Sequence, residues 1–316
     1  MSVVALSGGV GGAKLALGLY RILPPETLTL VVNTGDDFDH LGLRICPDID
    51  TALYTLADIE DPAQGWGRRD ETWSVMRVIE SLGEDTWFRL GDADTALHVV
   101  RTHRLRAGSP LSQVVLDFRR RLGIYADILP MTDCRVETRI DTEEGELAFQ
   151  DYFVRQRCRP RVRGIRFEGA AHAPAAPGVL AALSADELEA IVLCPSNPYL
   201  SIDPLLAIAD LRAALARRRV PIVAVSPLIG GTAVKGPTAK IMRELGVETS
   251  PAAIAAHYGG IIDALIIDPL DAAQSAHVPV PVFTMPTLMQ TLDDRLRLAR
   301  FVLHCARKLR SEGSSP

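Results

Sequence analysis

Residues 3–22 read VVALSGGVGGAKLALGLYRI, and this stretch decides the fold class. The apolar run at 3–6 predicts a buried strand, and the pattern at 12–22 predicts a helix. A strand that turns through glycines into a helix is the opening unit of an open parallel α/β sheet. Backbone N–H groups at the start of such a helix can approach a phosphate closely.

The glycine loop at residues 7–14 fits neither standard phosphate-loop expression. It has no Gly-Lys pair followed by Ser or Thr, and Lys14 stands where a dinucleotide-binding loop has its third glycine. We expect a generic phosphate or nucleotide cradle, with a tight turn that binds no ligand as the alternative. The residues expected at this cradle are Gly8, Gly9, Gly11, Gly12 and Lys14.

Further apolar runs alternate with helical stretches, which is typical of parallel strands covered on both faces. Strands are expected at 28–33, 190–194, 221–226, 264–268 and 280–285. Helices are expected at 12–22, 49–57, 70–82, 94–106, 111–122, 204–217, 238–245 and 288–309. This alternation predicts an α/β protein with a Rossmann-like three-layer α/β/α core and a mostly parallel sheet.

The middle of the chain has a different pattern. Residues 135–140 and 147–154 alternate around a DTEEGE turn, which predicts an antiparallel hairpin. Arginines then stand at every second position from Arg155 to Arg163, where an extended segment would place them on one face, either solvated or anion-binding. We expect a β-rich and helical insertion at 108–177. The nucleotide-binding core is then formed by 1–107 and 178–316, within a single domain overall.

The composition is that of a globular protein. The 316 residues include 39 acidic and 34 basic ones, which gives a net charge of −5, and 47% are apolar. The mild acidity supplies no general field for nucleic acid. No apolar run reaches the ~20 residues of a membrane helix. We therefore expect neither nucleic acid nor a membrane as a partner. The five cysteines are scattered without a CxxC pair, which argues against structural zinc and favours a reduced, cytoplasmic protein.

Carboxylates are concentrated after the second predicted strand, in NTGDDFDH at 33–40 and CPDIDT at 46–51. Five of them fall within fifteen positions, and a cation or hydroxyl partner would offset this like charge. Mg²⁺ binds to one or two carboxylates together with substrate phosphates. Helix capping by Asp48 or Asp50 and a turn role for Asp36 are the alternatives for single residues.

Two later loops and an aromatic segment complete the candidate site. The loops at 195–201 and 226–231 offer Asn and Ser groups that can bind a purine edge or a phosphate, or they are ordinary turns. All three tryptophans lie between residues 66 and 87, close to Arg89, where they stack on a planar ligand ring or fill a core. The histidines form no metal-binding pair, and no signature of a nucleophile is present.

In order and spacing, these segments resemble the 2-phospho-L-lactate transferase family of coenzyme F420 biosynthesis. The segments that carry the resemblance are SGGVGGAKLA at 7–16, NTGDDFDHLGLRICPDIDT at 33–51, GWGRRDETW at 65–73, WFRLGDAD at 87–94, LPMTD at 129–133, FQDYFV at 149–154, PSNPYLSI at 195–202 and SPLIGG at 226–231. The match spans essentially the whole chain. ICPDIDT together with GWG, ETW and PSNP is far more specific than a glycine loop.

The resemblance implies an enzyme, a phosphotransferase for substituted phosphate groups. It would move a phosphorylated three-carbon acid from a guanosine diphosphate conjugate to the ribityl hydroxyl of the deazaflavin FO, with release of GMP and formation of F420-0. The acid is 2-phospholactate, phosphoenolpyruvate or 3-phosphoglycerate, and no spacing distinguishes them. Mg²⁺ as cofactor and a homodimer are implied in the same way.

The resemblance also assigns residues. Asp50 and Arg89 correspond to FO contacts, and Trp66 is expected beside them. Asp50 and Asp48 are the expected catalytic residues. The expected metal residues are Asp37, Asp48 and Asp36. The expected nucleotide residues are Gly8, Gly9, Gly11, Gly12, Lys14, Ser196, Asn197 and Ser201. We expect Asp50→Ala to leave folding nearly intact, because a surface carboxylate in a crevice contributes little to stability.

The chain departs from the family pattern at two places. Asp39 stands where an aromatic residue is expected, and GDAD at 91–94 stands where the family has GDRD. The absence of the arginine of GDRD affects how the transferred acid or the deazaflavin ring is held. The alternative function is a nucleotide-sugar-binding regulator that resembles the gluconeogenesis-factor proteins, which share the glycine loop and a DD motif. PDIDT and the tryptophan segments favour the enzyme.

Overall fold

A computed structural model of the chain describes residues 2–62, 66–234 and 236–313. The strands are β1 (Ser2–Ser7), β2 (Leu28–Val32), β3 (Phe38–His40), β4 (Leu43–Ile45), β5 (Asp127–Pro130), β6 (Glu137–Thr142), β7 (Gly145–Ala148), β8 (Val162–Glu168), β9 (Leu188–Leu193), β10 (Ile222–Val225), β11 (Leu228–Ile229), β12 (Thr232–Ala233), β13 (Ala264–Ile267) and β14 (Val282–Thr284). The α-helices are α1 (Gly9–Ile22), α2 (Pro47–Leu56), α3 (Ser74–Ser81), α4 (Asp92–Arg106), α5 (Leu111–Arg121), α6 (Val179–Ser184), α7 (Asp203–Leu206), α8 (Ala209–Ala216), α9 (Thr238–Glu244), α10 (Pro251–His257) and α11 (Leu292–Gly313).

Seven strands form one parallel sheet in the order β5-β2-β1-β9-β10-β13-β14. Within this sheet, the strands that come first along the chain, β1, β2 and β5, run outward from β1 on one side. The later strands, β9, β10, β13 and β14, run outward on the other side. This is the Rossmann order with one strand added, and it confirms the predicted α/β class. The order reverses between β1 and β9, where Ala5 lies opposite Val192. Ligands of such sheets bind at the carboxyl ends of the strands at this switch point.

Alternate side chains of β1 enter two separate apolar layers, which confirms the three-layer core. Val4 and Leu6 face the layer that includes α8, α9 and α10. Val3 and Ala5 face the layer of α1, α2, α5 and α11. In the second layer, a Cβ at Gly18 of α1 would lie 2.3 Å from the carbonyl oxygen of Arg295 in α11, so a glycine is needed for this close approach.

The predicted hairpin is present, but its second arm is shorter than expected. β6 pairs antiparallel with β7 on one side and with β8, which was not predicted, on the other. Residues 149–154 do not extend β7, because the chain turns into a π-helix at Asp151–Arg155. Phe149 and Tyr152 are both buried. Their spacing of three residues suits a helical turn and not a strand of period two.

The alternating arginines do not share one face, which corrects the expectation from their spacing. Arg155 ends the π-helix, and its guanidinium lies 2.5 Å from the carboxylate of Asp85. Arg157 and Cys158 have φ angles of 53° and 55°, so the backbone leaves the extended conformation there. Of the five arginines, only Arg163 lies in a strand, β8.

The region 108–177 does not lie wholly outside the parallel core. It contains α5 and β5, and β5 pairs parallel with β2, with Ile128 opposite Leu30. The sequence did not predict β5, which is only four residues long and includes Asp127 and Pro130. The antiparallel sheet of β6, β7 and β8 is the part added to the core. The division of the chain into a core and an inserted subdomain stays a prediction.

Three expected helices differ most in their limits. The stretch 204–217 is divided into α7 and α8, α3 begins at Ser74, and α11 begins at Leu292. Within the described ranges, no helix combines the length and the apolar composition needed to cross a membrane. All five cysteines are unpaired.

Candidate functional site

A cavity of about 920 Å³ lies at the switch point of the sheet, beyond the carboxyl ends of β1 and β9. Its wall contains every residue expected at the nucleotide except Gly12. The residues that line it are Gly8, Gly9, Gly11, Lys14, Ser196, Asn197 and Ser201. The loops after β10 and β14 complete this end of the cavity. The tertiary structure therefore brings together the glycine loop at 7–14 and the loop at 195–201.

The glycines of the first loop serve two purposes. Gly9 has a φ of +64°, which favours glycine, and a Cβ there would have no atom within 4 Å. A Cβ at Gly11 would lie 2.5 Å from the carbonyl oxygen of Pro195, and one at Gly12 would lie 2.2 Å from Ser7 Oγ. Gly9 thus leaves open space at the start of α1, where the helix dipole is positive. Gly11 and Gly12 instead let α1 pack closely on β1 and the loop after β9.

Ser196 and Asn197 shape the loop after β9. Ser196 Oγ accepts a hydrogen bond from the Gly8 N–H at 3.1 Å. Asn197 Oδ1 accepts from two backbone N–H groups at 3.0 and 3.2 Å and caps a second π-helix, Pro198–Ile202. The buried Nδ2 of Asn197 has no hydrogen-bond partner among the described residues. This amide therefore keeps its donor capacity for a ligand.

Charged side chains hold two further loops of the same wall. Lys14 Nζ donates to the carbonyl oxygen of Met289 at 3.0 Å, which ties α1 to the loop after β14. Gly230 and Gly231 donate their N–H groups to the carboxylate of Asp271 at 3.0 and 2.8 Å. This pair of hydrogen bonds holds the turn between β11 and β12, the two short strands that follow β10.

Asp48 is held by hydrogen bonds from the glycine loop and from Asn33. Its Oδ1 accepts from the Gly9 N–H at 2.7 Å, and its Oδ2 accepts from Asn33 Nδ2 at 3.0 Å. Burial raises the pKa of Asp48 to about 6, although these hydrogen bonds lower it. Burial and the charge of Asp48 raise the pKa of Asp36 well above its usual range. Two such carboxyl groups at one cavity suit a divalent cation, which would favour their ionised forms.

Asp37 faces a different part of the molecule. It lines a second cavity, of about 540 Å³, together with Arg44. The two side chains lie 3.8 Å apart. Burial raises the pKa of Asp37 to about 7, and Arg44 offsets part of this effect. The structure therefore divides the expected metal residues between two cavities, and Asp36 and Asp48 are the pair that shares one.

Asp50 is buried and paired with Arg101, so it is not the surface carboxylate expected from the sequence. The Arg101 side chain is 0% exposed. Its Nη1 donates to Asp50 Oδ2 at 3.0 Å, and its Nη2 donates to Asp50 Oδ1. Burial opposes the charge of Arg101, but the charge and hydrogen bonds of Asp50, together with smaller contributions of other neighbours, outweigh burial and raise the pKa of Arg101. Asp50 nevertheless lines the main cavity.

The aromatic residues form the other end of the main cavity. Trp66, Trp87 and Arg89 all line it. The Arg89 guanidinium lies 4.5 Å from the centroid of the Trp73 ring, and Trp66 meets Trp73 edge to face at 6.4 Å. The structure thus brings Trp66 and Arg89, both expected beside a planar ring, to one wall.

The sequence reasoning missed a polar cluster beside Asp50. Asp94 and His98 of α4 line the cavity, and the Tyr54 hydroxyl donates to Asp94 Oδ1 at 2.5 Å. Asp94, His98 and Arg101 lie four and three residues apart, which places them on one buried face of α4. That spacing was the available signal. The cluster was missed because a polar helix face ordinarily faces solvent.

The antiparallel insertion also reaches the cavity. Phe149, Gln150 and Phe153 line it. Gln150 Nε2 donates to the backbone oxygen of Asp36 at 3.2 Å, and the rings of Phe149 and Phe153 stack at 5.3 Å. The hairpin pattern contains no sign of this contact, because Asp36 and Gln150 are 114 residues apart in sequence.

An open parallel sheet with a large ligand cavity at its switch point defines the chain as a Rossmann-like α/β protein. The chain belongs to the 2-phospho-L-lactate transferase CofD family, whose model matches residues 3–279. It is therefore a transferase of a phospho-acid group in coenzyme F420 biosynthesis.

Curated proteins are similar to the chain over nearly its full length. A phosphoenolpyruvate transferase of Streptomyces griseus is 39% identical over 320 residues, covering 98% of this chain and 100% of that protein. One of Mycobacterium tuberculosis is 39% identical over 314 residues, covering 92% and 94%. The crystal structure of a UPF0052 family member from Bacillus halodurans has a TM-score of 0.62 at 15% identity, covering 96% of this chain and 100% of that one. This last likeness concerns the fold alone.

Proposed function

We propose that this enzyme transfers a phosphorylated three-carbon acid from its guanosine diphosphate conjugate to the ribityl hydroxyl of FO, which yields GMP and F420-0 or its dehydro or 3-phosphoglycerate-derived form. One observation carries the proposal: a single cavity has a glycine loop at one end, buried carboxyl groups between, and aromatic side chains at the other. Its volume of about 920 Å³ is near the upper end of ordinary ligand sites, roughly 300–1,000 Å³. That size suits two ligands bound side by side.

Among the three acids, phosphoenolpyruvate has the most support. Curated relatives at 38–40% identity are named phosphoenolpyruvate transferases. The family description names 2-phospholactate instead, so this acid is the second candidate. Both names favour a transferase over the nucleotide-sugar-binding regulator.

In the proposed reaction, the ribityl oxygen forms a bond to the distal phosphorus of the diphosphate. The bond from that phosphorus to the bridging oxygen breaks, and GMP leaves with this oxygen. The hydroxyl proton passes to a carboxylate, for which Asp48 and Asp50 are the candidates. Phosphoryl transfer depends mainly on positioning and charge neutralisation, so no covalent intermediate with the protein is needed.

The phosphates would bind at the start of α1, beside Lys14 and the amide of Asn197. Asp36 and Asp48 are the residues that would hold Mg²⁺. When bound, a divalent cation there offsets the charge of the diphosphate and of the departing GMP. Arg89 and Trp66 would contact the deazaflavin ring of FO.

Mass spectrometry of reactions with FO, Mg²⁺ and each of the three guanosine diphosphate conjugates tests the proposal. We expect GMP and the corresponding F420 precursor, formed fastest from the phosphoenolpyruvate conjugate. GMP should form only when FO is present, which distinguishes transfer from hydrolysis. If none of the three conjugates gives either product, the proposed transfer is refuted. If the other conjugates react and the phosphoenolpyruvate conjugate does not, the choice of acid is refuted. Light scattering tests the proposed homodimer.

A further inference from the structure

The polar cluster on α4 has the spacing of a metal site but contains an arginine. One ligand atom from each of Asp50, Asp94 and His98 lies within 4.8 Å of the others, and all three residues are buried. Carboxylate and imidazole groups at such spacing can bind a divalent cation. Arg101, from the same face of α4, places its guanidinium directly on Asp50. A positive charge is therefore already built into the cluster.

Three acceptors surround one guanidinium nitrogen of Arg101. Nη1 lies 3.0 Å from Asp50 Oδ2, 3.1 Å from His98 Nδ1 and 3.3 Å from the backbone oxygen of Arg44. Because arginine only donates, His98 Nδ1 must be the acceptor of this contact, which leaves Nε2 as the nitrogen of the ring that can donate. His98 Nε2 lies 3.2 Å from Asp94 Oδ1, close but without the alignment of a hydrogen bond.

The far end of the cluster is held by Tyr54. Burial raises the pKa of Tyr54 well above its usual range, so its hydroxyl stays protonated and donates to Asp94. Burial opposes the charge of Asp94, but the His98 ring and the Tyr54 hydroxyl outweigh it and lower the pKa of Asp94. The side chains thus form one ordered series from Tyr54 to Arg101.

We propose that Arg101 is a positioning residue whose guanidinium takes the place of a cation and holds the Asp50 carboxylate in one orientation at the cavity. This inference rests on the proposed function, in which Asp50 contacts the acceptor. The planar fork of an arginine binds both carboxylate oxygens at once, which leaves their remaining lone pairs to a ligand. The remaining lone pairs accept a hydrogen bond from a hydroxyl group, whereas an anion has no donor to offer them. The site therefore suits an uncharged, hydroxyl-bearing acceptor.

Steady-state kinetics of Arg101→Lys and Arg101→Ala test the inference, with acceptor and donor varied separately. Lysine keeps the charge but loses the fork, so we expect kcat/KM for the acceptor to fall about tenfold or more. The KM for the donor should change less than about twofold, because the Arg101 guanidinium contacts Asp50, His98 and Arg44, none of which belongs to the glycine loop. Added guanidinium ion, below denaturing concentrations, should restore part of the activity of Arg101→Ala, as no purely structural loss would.

Arg104→Ala is the matched control. Arg104 lies on the same helix, where it pairs with Asp117 at 2.5 Å in a partly exposed position. Its removal should leave both kinetic constants within about twofold of wild type. Circular dichroism shows whether each variant is folded, and Arg101→Lys decides the question if Arg101→Ala does not fold.

Two results would overturn the positioning role. One is a folded Arg101 variant in which acceptor and donor affinity fall equally, or in which neither affinity falls. The other is a visible Co²⁺ absorption band of the wild-type protein that His98→Ala removes, because the cluster would then be a metal site and not a guanidinium site. A wild-type protein that uses no acceptor would instead refute the proposed function, and the Co²⁺ titration would still test the cluster.

Discussion

The backbone N–H of Gly9 donates a hydrogen bond of 2.7 Å to Oδ1 of Asp48, which joins the first turn of α1 to the first turn of α2. The other carboxylate oxygen is held by Asn33 Nδ2 at 3.0 Å. The positive end of α1 and a candidate catalytic carboxylate are therefore fixed relative to each other. They come from segments 39 residues apart.

Asp48→Asn is expected to lower transfer about 100-fold or more while the protein stays folded. Asparagine keeps the size and can accept from Gly9, but it lacks the charge that either a base or a metal ligand needs, and removal of a general base costs about 10²–10⁴-fold. The rate of GMP release measures the effect. Asp39→Asn is the control, since Asp39 is an exposed member of the same acidic segment. A wild-type rate for Asp48→Asn would exclude both roles.

Asp50→Ala should destabilise the fold by about 3–5 kcal/mol, because it leaves the buried guanidinium of Arg101 without its partner. This replaces the expectation that folding would stay nearly intact. Urea unfolding measures the loss. Asp39→Ala removes an exposed pair with Arg135 at 2.9 Å and should cost less than about 1 kcal/mol. Equal midpoints for the two variants would contradict the importance of the buried pair.

Asp37 should make the free energy of unfolding fall as the pH rises. The pKa of Asp37 is 3.8 in its ordinary state and about 7 in the folded protein. Between these values the folded form binds a proton that the unfolded form has released. The free energy of unfolding therefore falls as the pH rises from 3.8 to about 7.

Urea unfolding at about pH 5 and about pH 8 measures this dependence. Asp37→Asn should make this dependence shallower, and the part that remains comes from Asp36 and Asp48, whose pKa values are also raised. The variant should be the more stable protein at the higher pH, since its side chain carries no charge to bury. Asp39→Asn, two residues away and exposed, should keep the wild-type slope. A wild-type slope in Asp37→Asn would show that another group is responsible.

Gly11→Ala should destabilise the protein by about 1–3 kcal/mol through overpacking. The new Cβ would lie 2.5 Å from the Pro195 carbonyl oxygen, a backbone atom that cannot turn aside. Thermal unfolding measures the loss, and calorimetry with GMP should show weaker binding. Gly9→Ala is the comparison, since its Cβ meets no atom within 4 Å and only the left-handed backbone costs about 1–2 kcal/mol. A smaller loss of stability for Gly11→Ala than for Gly9→Ala would mean that α1 and the loop after β9 adapt to each other.

Arg89→Ala should weaken FO binding about fivefold or more and leave GMP binding unchanged, because a cation over an aromatic ring contributes about 0.5–2 kcal/mol. Quenching of FO fluorescence measures the first affinity, and calorimetry measures the second. Arg69→Ala is the control, since Arg69 pairs with Asp58 at 3.1 Å on the surface. Equal loss of both ligands would refute Arg89 as an FO contact.

The central strands were predictable, whereas β5 and β8 were not. Strands buried on both faces, such as β1 with its run of buried side chains, are continuous apolar runs. β5 ends the sheet, alternates between buried and half-buried residues and is only four residues long. β8 has a single buried residue, Val162, and carries Arg163 and Arg166 on its exposed positions, so its composition resembles that of a loop.

The nucleotide end of the candidate site was predictable because the two loops that form most of it each follow a recognisable segment of sequence. The glycine loop follows β1, and the loop containing Ser196 follows β9, so the strand order alone predicts that they meet. His98 and Gln150 were not predictable. Each reaches the cavity through packing between elements distant in sequence, and such packing has no local periodicity.

The sequence by itself determined the α/β class and the loops that bear the site, because apolar periodicity and glycine positions act on the nearest residues of the chain. Only the tertiary structure decided what each acid does: Asp36 and Asp48 share the main cavity, Asp37 faces another, and Asp50 is bound by Arg101. Burial and ion pairing depend on distances of a few ångströms between side chains. Asp50 and Arg101 are 51 residues apart, so only the folded chain brings them within that range.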